Sequence, residues 1–166
     1  EWRDEENYFF RLSKYQQQLE ELYESQPDFI QPASRRNEVL NFVQQGLKDF
    51  SISRVNLDWG FPIPVDDKHT IYVWFDALLG YMTALLDDQI EPSLDQALSQ
   101  RWPIDLHLIG KDILRFHAIY WPAMLMSANL PIPDRVFAHG YFTEDGKKIS
   151  KSEGNAIDPI DLIDRY

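Results

Sequence analysis

Three short strand-like runs, at residues 70–74, 105–109 and 135–138, are separated by stretches with helical spacing. That alternation is what most narrows the folds open to this chain. Strands joined through helices rather than tight turns pair in parallel, because a parallel pair needs a long crossover. The expected class is α/β, with a parallel sheet covered by helices. One helix is expected over about 76–86. Another runs over 113–128 and contains Pro122, whose missing N–H should kink or divide it. Glu144-Asp145-Gly146 reads as a hairpin turn, and Asp158 before Pro159 as an N-cap with proline at the first helical position.

The front of the chain has a different grammar. Residues 5–24 read as one amphipathic helix, with Phe9, Leu12, Leu19, Leu22 and Tyr23 at helical spacing. Pro27 and Pro32 break it over 25–32. Ser34 is then expected to cap a second helix carrying Val39, Phe42, Val43 and Leu47 on one face. These helices read as a connector separate from the sheet, which divides the chain at 1–50 and 51–166. Both ends of the chain fall inside helical patterns, so the expectation is an internal piece of a longer catalytic domain.

Composition excludes several classes. At 44% hydrophobic and 14% aromatic residues the chain builds a packed core rather than a disordered tract. No apolar run approaches 18 residues, so no membrane span is expected. With no cysteine, disulfides, thiolate nucleophiles and Cys-based zinc sites are absent from these residues, and no metal ligand set is expected. Cysteine-free composition suits a cytoplasmic protein, with an organelle as the other option. A formal charge of −11 argues against a broad basic face for nucleic acid.

Against that acidic background, Lys147, Lys148 and Lys151 share six positions with Ser150 and Ser152, between Gly146 and Gly154. A glycine-bounded loop of lysines and hydroxyls can close over a polyphosphate and stabilise charge on a departing pyrophosphate. By composition alone it reads first as a solvated basic surface loop.

The run Lys148-Ile149-Ser150-Lys151-Ser152 resembles the K-M-S-K-S signature of class I aminoacyl-tRNA synthetases, with Ile for Met. Further runs resemble, in order, landmarks of the methionyl-tRNA synthetase family. They are Asn7 to Ser13, Ser51 to Arg54, Tyr72 to Leu78, Gly110 to Ile113 with Phe116-His117 and Trp121-Pro122-Ala123, and Ala138-His139-Gly140-Tyr141. The resemblance covers most of the chain. It implies the second half of a Rossmann-like catalytic domain that activates methionine with ATP and Mg²⁺ and transfers it to tRNA(Met). Lys148 and Lys151 would act on the phosphates. Gly110, Lys111, Asp112, His139, Gly140, Ser150, Ser152 and Arg54 would surround ATP, with Asp112 on a ribose hydroxyl. Asp112 reads equally as a helix N-cap, and Arg54 as one half of a structural ion pair.

Trp74, Ala77 and Tyr81 lie three and four apart, as do Ile113 and His117 at four, so each set shares a helix face. By spacing alone all five read as core. The resemblance turns Trp74, Tyr81 and His117, with Ala77 and Ile113, into a slot for a thioether side chain. The family's H-x-G-H signature is not in these 166 residues, and His107-Leu108-Ile109-Gly110-Lys111 lacks its spacing. Its zinc knuckle would lie before Glu1, the only place zinc enters this reading. The piece alone is expected to be inactive and, through an exposed sheet edge, prone to self-association. Two other readings stand beside this one: a class I synthetase for another amino acid, and a non-catalytic binding module derived from such an enzyme.

Overall fold

The computed structural model describes residues 5–55, 57, 59–86, 91–150, 154 and 156–165. Strand β1 (Phe9–Phe10) leads through a 3₁₀ turn at Leu12–Tyr15 into helix α1 (Gln16–Ser25). Strand β2 (Ile30–Gln31) and helix α2 (Ala33–Gln44) follow. Next come strands β3 (Phe50–Ser51), β4 (Ser53–Val55), β5 (Pro62–Ile63) and β6 (Asp66–Ile71), then helices α3 (Val73–Thr83) and α4 (Leu94–Gln100). Strand β7 (His107–Gly110), helix α5 (Trp121–Ser127) and strand β8 (Val136–His139) lead to a hairpin of β9 (Thr143–Glu144) and β10 (Lys147–Lys148), and helix α6 (Pro159–Arg165) closes the order.

The parallel sheet has the order β2-β8-β7, with His107 and Ile30 both opposite Val136. This is the expected α/β arrangement, with two corrections. The run at 70–74 is not a parallel strand. Its β part belongs to β6, which pairs antiparallel with β4 and β5, and the helix after it already starts at Val73. Only Pro64 and Val65 join β5 to β6, too short a link for a parallel crossover. The second correction is β2, which falls in the stretch read only as a helix break. Two residues carry no periodicity, and β2 exists because it adds to the edge of β8, with Val136 N–H donating to Phe29 O at 2.7 Å.

The leading helices do not stand apart from the sheet. Leu12, Leu19, Tyr23, Val39 and Val43 share one buried cluster with Ile109, Leu114, Val136 and Ala138. The first helix begins later than its apolar spacing implies, because Phe9 and Phe10 pair as a strand with β3. Ser34 does not cap α2: Pro32 holds that position, and its carbonyl accepts the N–H of Arg35 and Arg36 at 2.8 and 3.2 Å. A second cluster packs Leu78 and Met82 of α3 against Trp102, Trp121 and Leu125. No helix among the described residues is long and apolar enough to cross a membrane.

The helix expected over 113–128 is divided as its proline requires. Phe116–Tyr120 is a π turn, where Trp121 N–H reaches back five residues to Phe116 O, and Pro122 then sits in the first turn of α5. Pro122 has no N–H to offer the carbonyl four residues back. That carbonyl, Ala118 O, accepts the buried Tyr23 hydroxyl of α1 at 2.7 Å. Burial pushes the Tyr23 phenol far up, so it stays a donor. Tyr23→Phe should cost about 1–3 kcal/mol in urea unfolding, the usual penalty for a buried acceptor losing its donor. Combining it with Pro122→Ala, which restores a backbone donor, should recover part of the loss; simple additivity would refute this account.

Candidate active site

Parallel pairing puts the carboxyl ends of β2, β7 and β8 on one side of the sheet, where ligands of such sheets gather. Emerging there are the start of α2, Lys111-Asp112 after β7, and Gly140-Tyr141 after β8. A Cβ built on Gly110 or Gly140 meets no atom within 4 Å, so neither glycine is needed for packing and the space above both is open. Gly110 also has ordinary extended dihedrals, at φ −70° and ψ 145°.

The lysine hairpin folds back onto this end. Asp145 and Gly146 both have positive φ, 49° and 77°, the turn type that matches strand twist. Ile149 N–H donates to Phe142 O at 2.9 Å and extends the ladder, with the Ile149 side chain half-buried. Adjacent strand residues point to opposite faces, so Lys147 and Lys148 diverge. Lys148 Nζ lies 3.8 Å from the centre of the Tyr141 ring, and Lys111 Nζ lies 4.3 Å from it. The Tyr141 hydroxyl donates to Asp112 Oδ2, and Lys111 Nζ donates to Asp112 Oδ1 at 3.2 Å. Hydrogen bonds from Tyr141 and then Lys111, with the charges of Lys111 and Lys148, hold the Asp112 carboxyl below its usual range. Asp112 caps no helix: Gly110 precedes the short turn at Lys111–Ile113, and the carboxylate faces the hairpin instead.

His139 is half-buried, and its Nδ1 donates to Gly140 O at 2.6 Å. Ser150 is half-buried at the foot of the hairpin. Lys151 and Ser152 lie outside the described residues. Arg54 is not gathered here. Its Nη1 donates to the Ser51 hydroxyl at 2.9 Å and to Ser53 O at 2.7 Å, and its guanidinium stacks on Tyr72 at 4.1 Å. It lines a separate, largely apolar groove of about 950 Å³ with Trp59, Phe61 and Asp76.

The second candidate set forms where α3 meets the π turn. Trp74 stacks on Phe116, with ring centres 4.2 Å apart and planes 17° apart. Two turns further along α3, Tyr81 Oη and His117 Nε2 are 2.7 Å apart, and His117 Nδ1 lies 2.9 Å from Ile113 O. A carbonyl only accepts, so Nδ1 carries the proton and Nε2 accepts the Tyr81 hydroxyl. Burial lowers the His117 pKa and keeps this neutral tautomer. Ala77 is exposed and Ile113 half-buried. The structure thus joins Trp74, Tyr81, Ile113 and His117 through direct contacts or immediate chain neighbours.

Sequence reading gave no site role to three residues. Tyr141, quoted only as part of a motif, bridges Asp112 and the two lysines. His107 is 3% exposed, with its ring centre 4.4 Å from Tyr81 and 5.2 Å from His117. Trp121 lies against Trp102, and its indole N–H has no acceptor among the described residues. Only proximity in the fold marks them, apart from the placement of Tyr141 directly after His139-Gly140.

A parallel sheet with open glycines at two carboxyl ends and a lysine hairpin folded beside them has the features of a nucleotide-binding α/β catalytic domain. Over residues 1–166 the chain matches the family described as tRNA synthetases class I (M), and it belongs to that family. Across all 166 residues it is 74% identical to the methionine–tRNA ligase of Nostoc sp. and 75% identical to that of Synechocystis sp., covering 31% of each. It is 58% identical over 164 residues to the chloroplastic/mitochondrial methionine–tRNA ligase of Arabidopsis thaliana, which is 99% of this chain and 27% of that protein. Among solved structures, Mycobacterium tuberculosis methionyl-tRNA synthetase in complex with methionyl-adenylate is similar at TM-score 0.83 and 50% identity, over 99% of this chain and 32% of that one. The chain spans about a third of the length of these relatives.

Proposed function

We propose that this chain is the part of a methionine–tRNA ligase that carries the methionine slot and the lysine loop. The observation that supports this best is the closure of the hairpin onto the β7 end, where Lys148, Tyr141, Asp112 and Lys111 meet. A methionine carboxylate oxygen attacks the α-phosphorus of ATP, the bond to pyrophosphate breaks, and methionyl-adenylate forms. A terminal ribose hydroxyl of tRNA(Met) then attacks the acyl carbon and AMP leaves. No side chain becomes covalently bonded; positioning and charge stabilisation carry both steps.

In this reading Lys148 and Lys151 stabilise charge on the departing phosphates, with Ser150 and Ser152 as hydroxyl donors beside them. Gly110 and Gly140 let the nucleotide approach the backbone, with His139 at the same edge, and Asp112 accepts a ribose hydroxyl in place of Tyr141. Arg54 lines a separate groove, with its guanidinium over Tyr72. Mg²⁺ enters as part of the ATP substrate in this reading. Trp74, Tyr81 and His117, with Ala77 and Ile113, form the methionine slot.

Residues 1–50 we read as the end of an insertion in the catalytic domain and 51–166 as its second half. The strand order leaves one side of β7 without a strand partner among the described residues. That edge is where an isolated piece would pair with a second copy. The compartment is that of translation, in the cytoplasm or an organelle.

The test is methionine-dependent exchange of pyrophosphate into ATP by a full-length enzyme carrying this segment. Trp74→Ala should raise the methionine KM about tenfold, equivalent to roughly 1.4 kcal/mol of lost binding, and leave the ATP KM nearly unchanged. A normal methionine KM would return Trp74 to packing against Phe116 alone.

A further inference from the structure

A cavity of about 430 Å³ opens between the start of α2 and the stretch from Lys111 to Tyr120, on the same side of the sheet as the lysine hairpin. Its charged lining is Arg35, Lys111 and Arg115 against Glu38 and Asp112, which leaves one positive charge in excess on a chain of net −11. Two of the cations are engaged: Arg35 pairs with Glu38 at 2.8 Å and Lys111 with Asp112 at 3.2 Å. Arg115 forms no ion pair among the described residues. Its guanidinium carbon sits 4.1 Å over the Phe42 ring of α2, and the side chain stays exposed. Phe116 and Tyr120 supply aromatic wall to the same cavity.

We propose that this cavity takes a backbone phosphate of the single-stranded 3′ end of tRNA, with Arg115 as its principal contact. The proposal rests on the ligase reading above and deepens it. The transfer step needs the terminal ribose hydroxyl at the acyl group beside Asp112, so the phosphates of the last nucleotides must pass within a short reach of Lys111. A planar guanidinium suits a phosphate by paired N–H donation, and aromatic faces beside cations are how single-stranded ends are held. In the ligase reading ATP lies on the hairpin side of Lys111-Asp112. Lys148 and Tyr141 of the hairpin side do not line this cavity, and Lys111-Asp112 forms the shared wall between the two spaces.

The experiment uses a full-length enzyme carrying this segment. Arg115→Ala should raise the KM for tRNA about fivefold to tenfold and reduce the slope of log affinity against log salt by about 1, the loss of one phosphate contact. Methionine-dependent pyrophosphate exchange should stay at the wild-type rate, which also shows that the variant folds. Arg115→Lys should keep the salt slope while recovering part of the affinity. A tRNA trimmed of its 3′-terminal unpaired nucleotides should bind the wild type and Arg115→Ala equally. An unchanged tRNA KM and salt slope overturns the proposal, as does a defect that persists with trimmed tRNA. A parallel fall in pyrophosphate exchange overturns it too and assigns the cavity to ATP or pyrophosphate. Absence of exchange in the wild type would sink the ligase reading instead, and direct tRNA binding by the same variants would still decide the cavity.

Discussion

Lys148→Ala, in a full-length enzyme carrying this segment, should lower the single-turnover rate of methionyl-adenylate formation by about 10²–10³, roughly 3–4 kcal/mol of transition-state stabilisation. Charge grows on the phosphate oxygens as the bond to pyrophosphate breaks, so a lysine aimed there acts more strongly on the transition state than on bound ATP. The hairpin supplies the aim: Lys148 lies over Tyr141 on the face that meets Asp112, while Lys147 points the other way. Lys151→Ala is expected to be as severe, and Lys147→Ala to cost much less. Methionine affinity should hold in all three, because the proposed slot lies on α3 and the π turn. Equal, small effects at Lys147 and Lys148 would reduce the hairpin to a solvated basic turn.

The second large effect is on acid stability. His107 is buried against Tyr81 from α3 and His117 from the π turn, and its Nε2 has no hydrogen-bond partner among the described residues. Burial, with the nearby His117, pushes its pKa down to about 4. The unfolded chain binds this proton near pH 6.5 and the folded chain does not, so stability falls as pH drops from about 6.5 towards about 4. Over that window the loss from His107 alone is on the order of 3 kcal/mol, at about 1.4 kcal/mol for each pH unit. His117, lowered by the same burial, moves in the same direction. His69 moves the other way: its bond to Glu6 O and its pairing with Asp66 raise its pKa, so its contribution is present below about pH 6.5 and lost above its folded value. Urea unfolding at a series of pH values, repeated with His107→Asn, isolates the one residue. The variant should show a flatter decline below about pH 6.5. Identical pH dependence in the two proteins would mean that His107 protonates in the fold without penalty.

Trp74 and Lys148 show how much of the site local sequence could reach. The lysine loop stood out by charge against an acidic background, and its turn followed from Asp145-Gly146, whose positive φ is a property of those two residues. The same holds for Asp158, which accepts Ile160 N–H at 2.9 Å ahead of Pro159, and for Pro122, whose missing N–H divides its helix wherever the chain places it. Each of these is decided within a few bonds, so the amino-acid sequence by itself determined them, together with the β7 and β8 strands and the resemblance to the synthetase family. The tertiary structure alone decided the rest. Tyr141 meets Asp112 across 29 residues, Tyr81 meets His117 across 36, and Tyr23 meets Ala118 across 95. The strand identity of Ile30-Gln31 and the antiparallel setting of β6 belong with these. Such pairings gain their free energy only when distant backbone and side-chain groups are buried together, and no periodicity or turn chemistry in either partner encodes which group it will find.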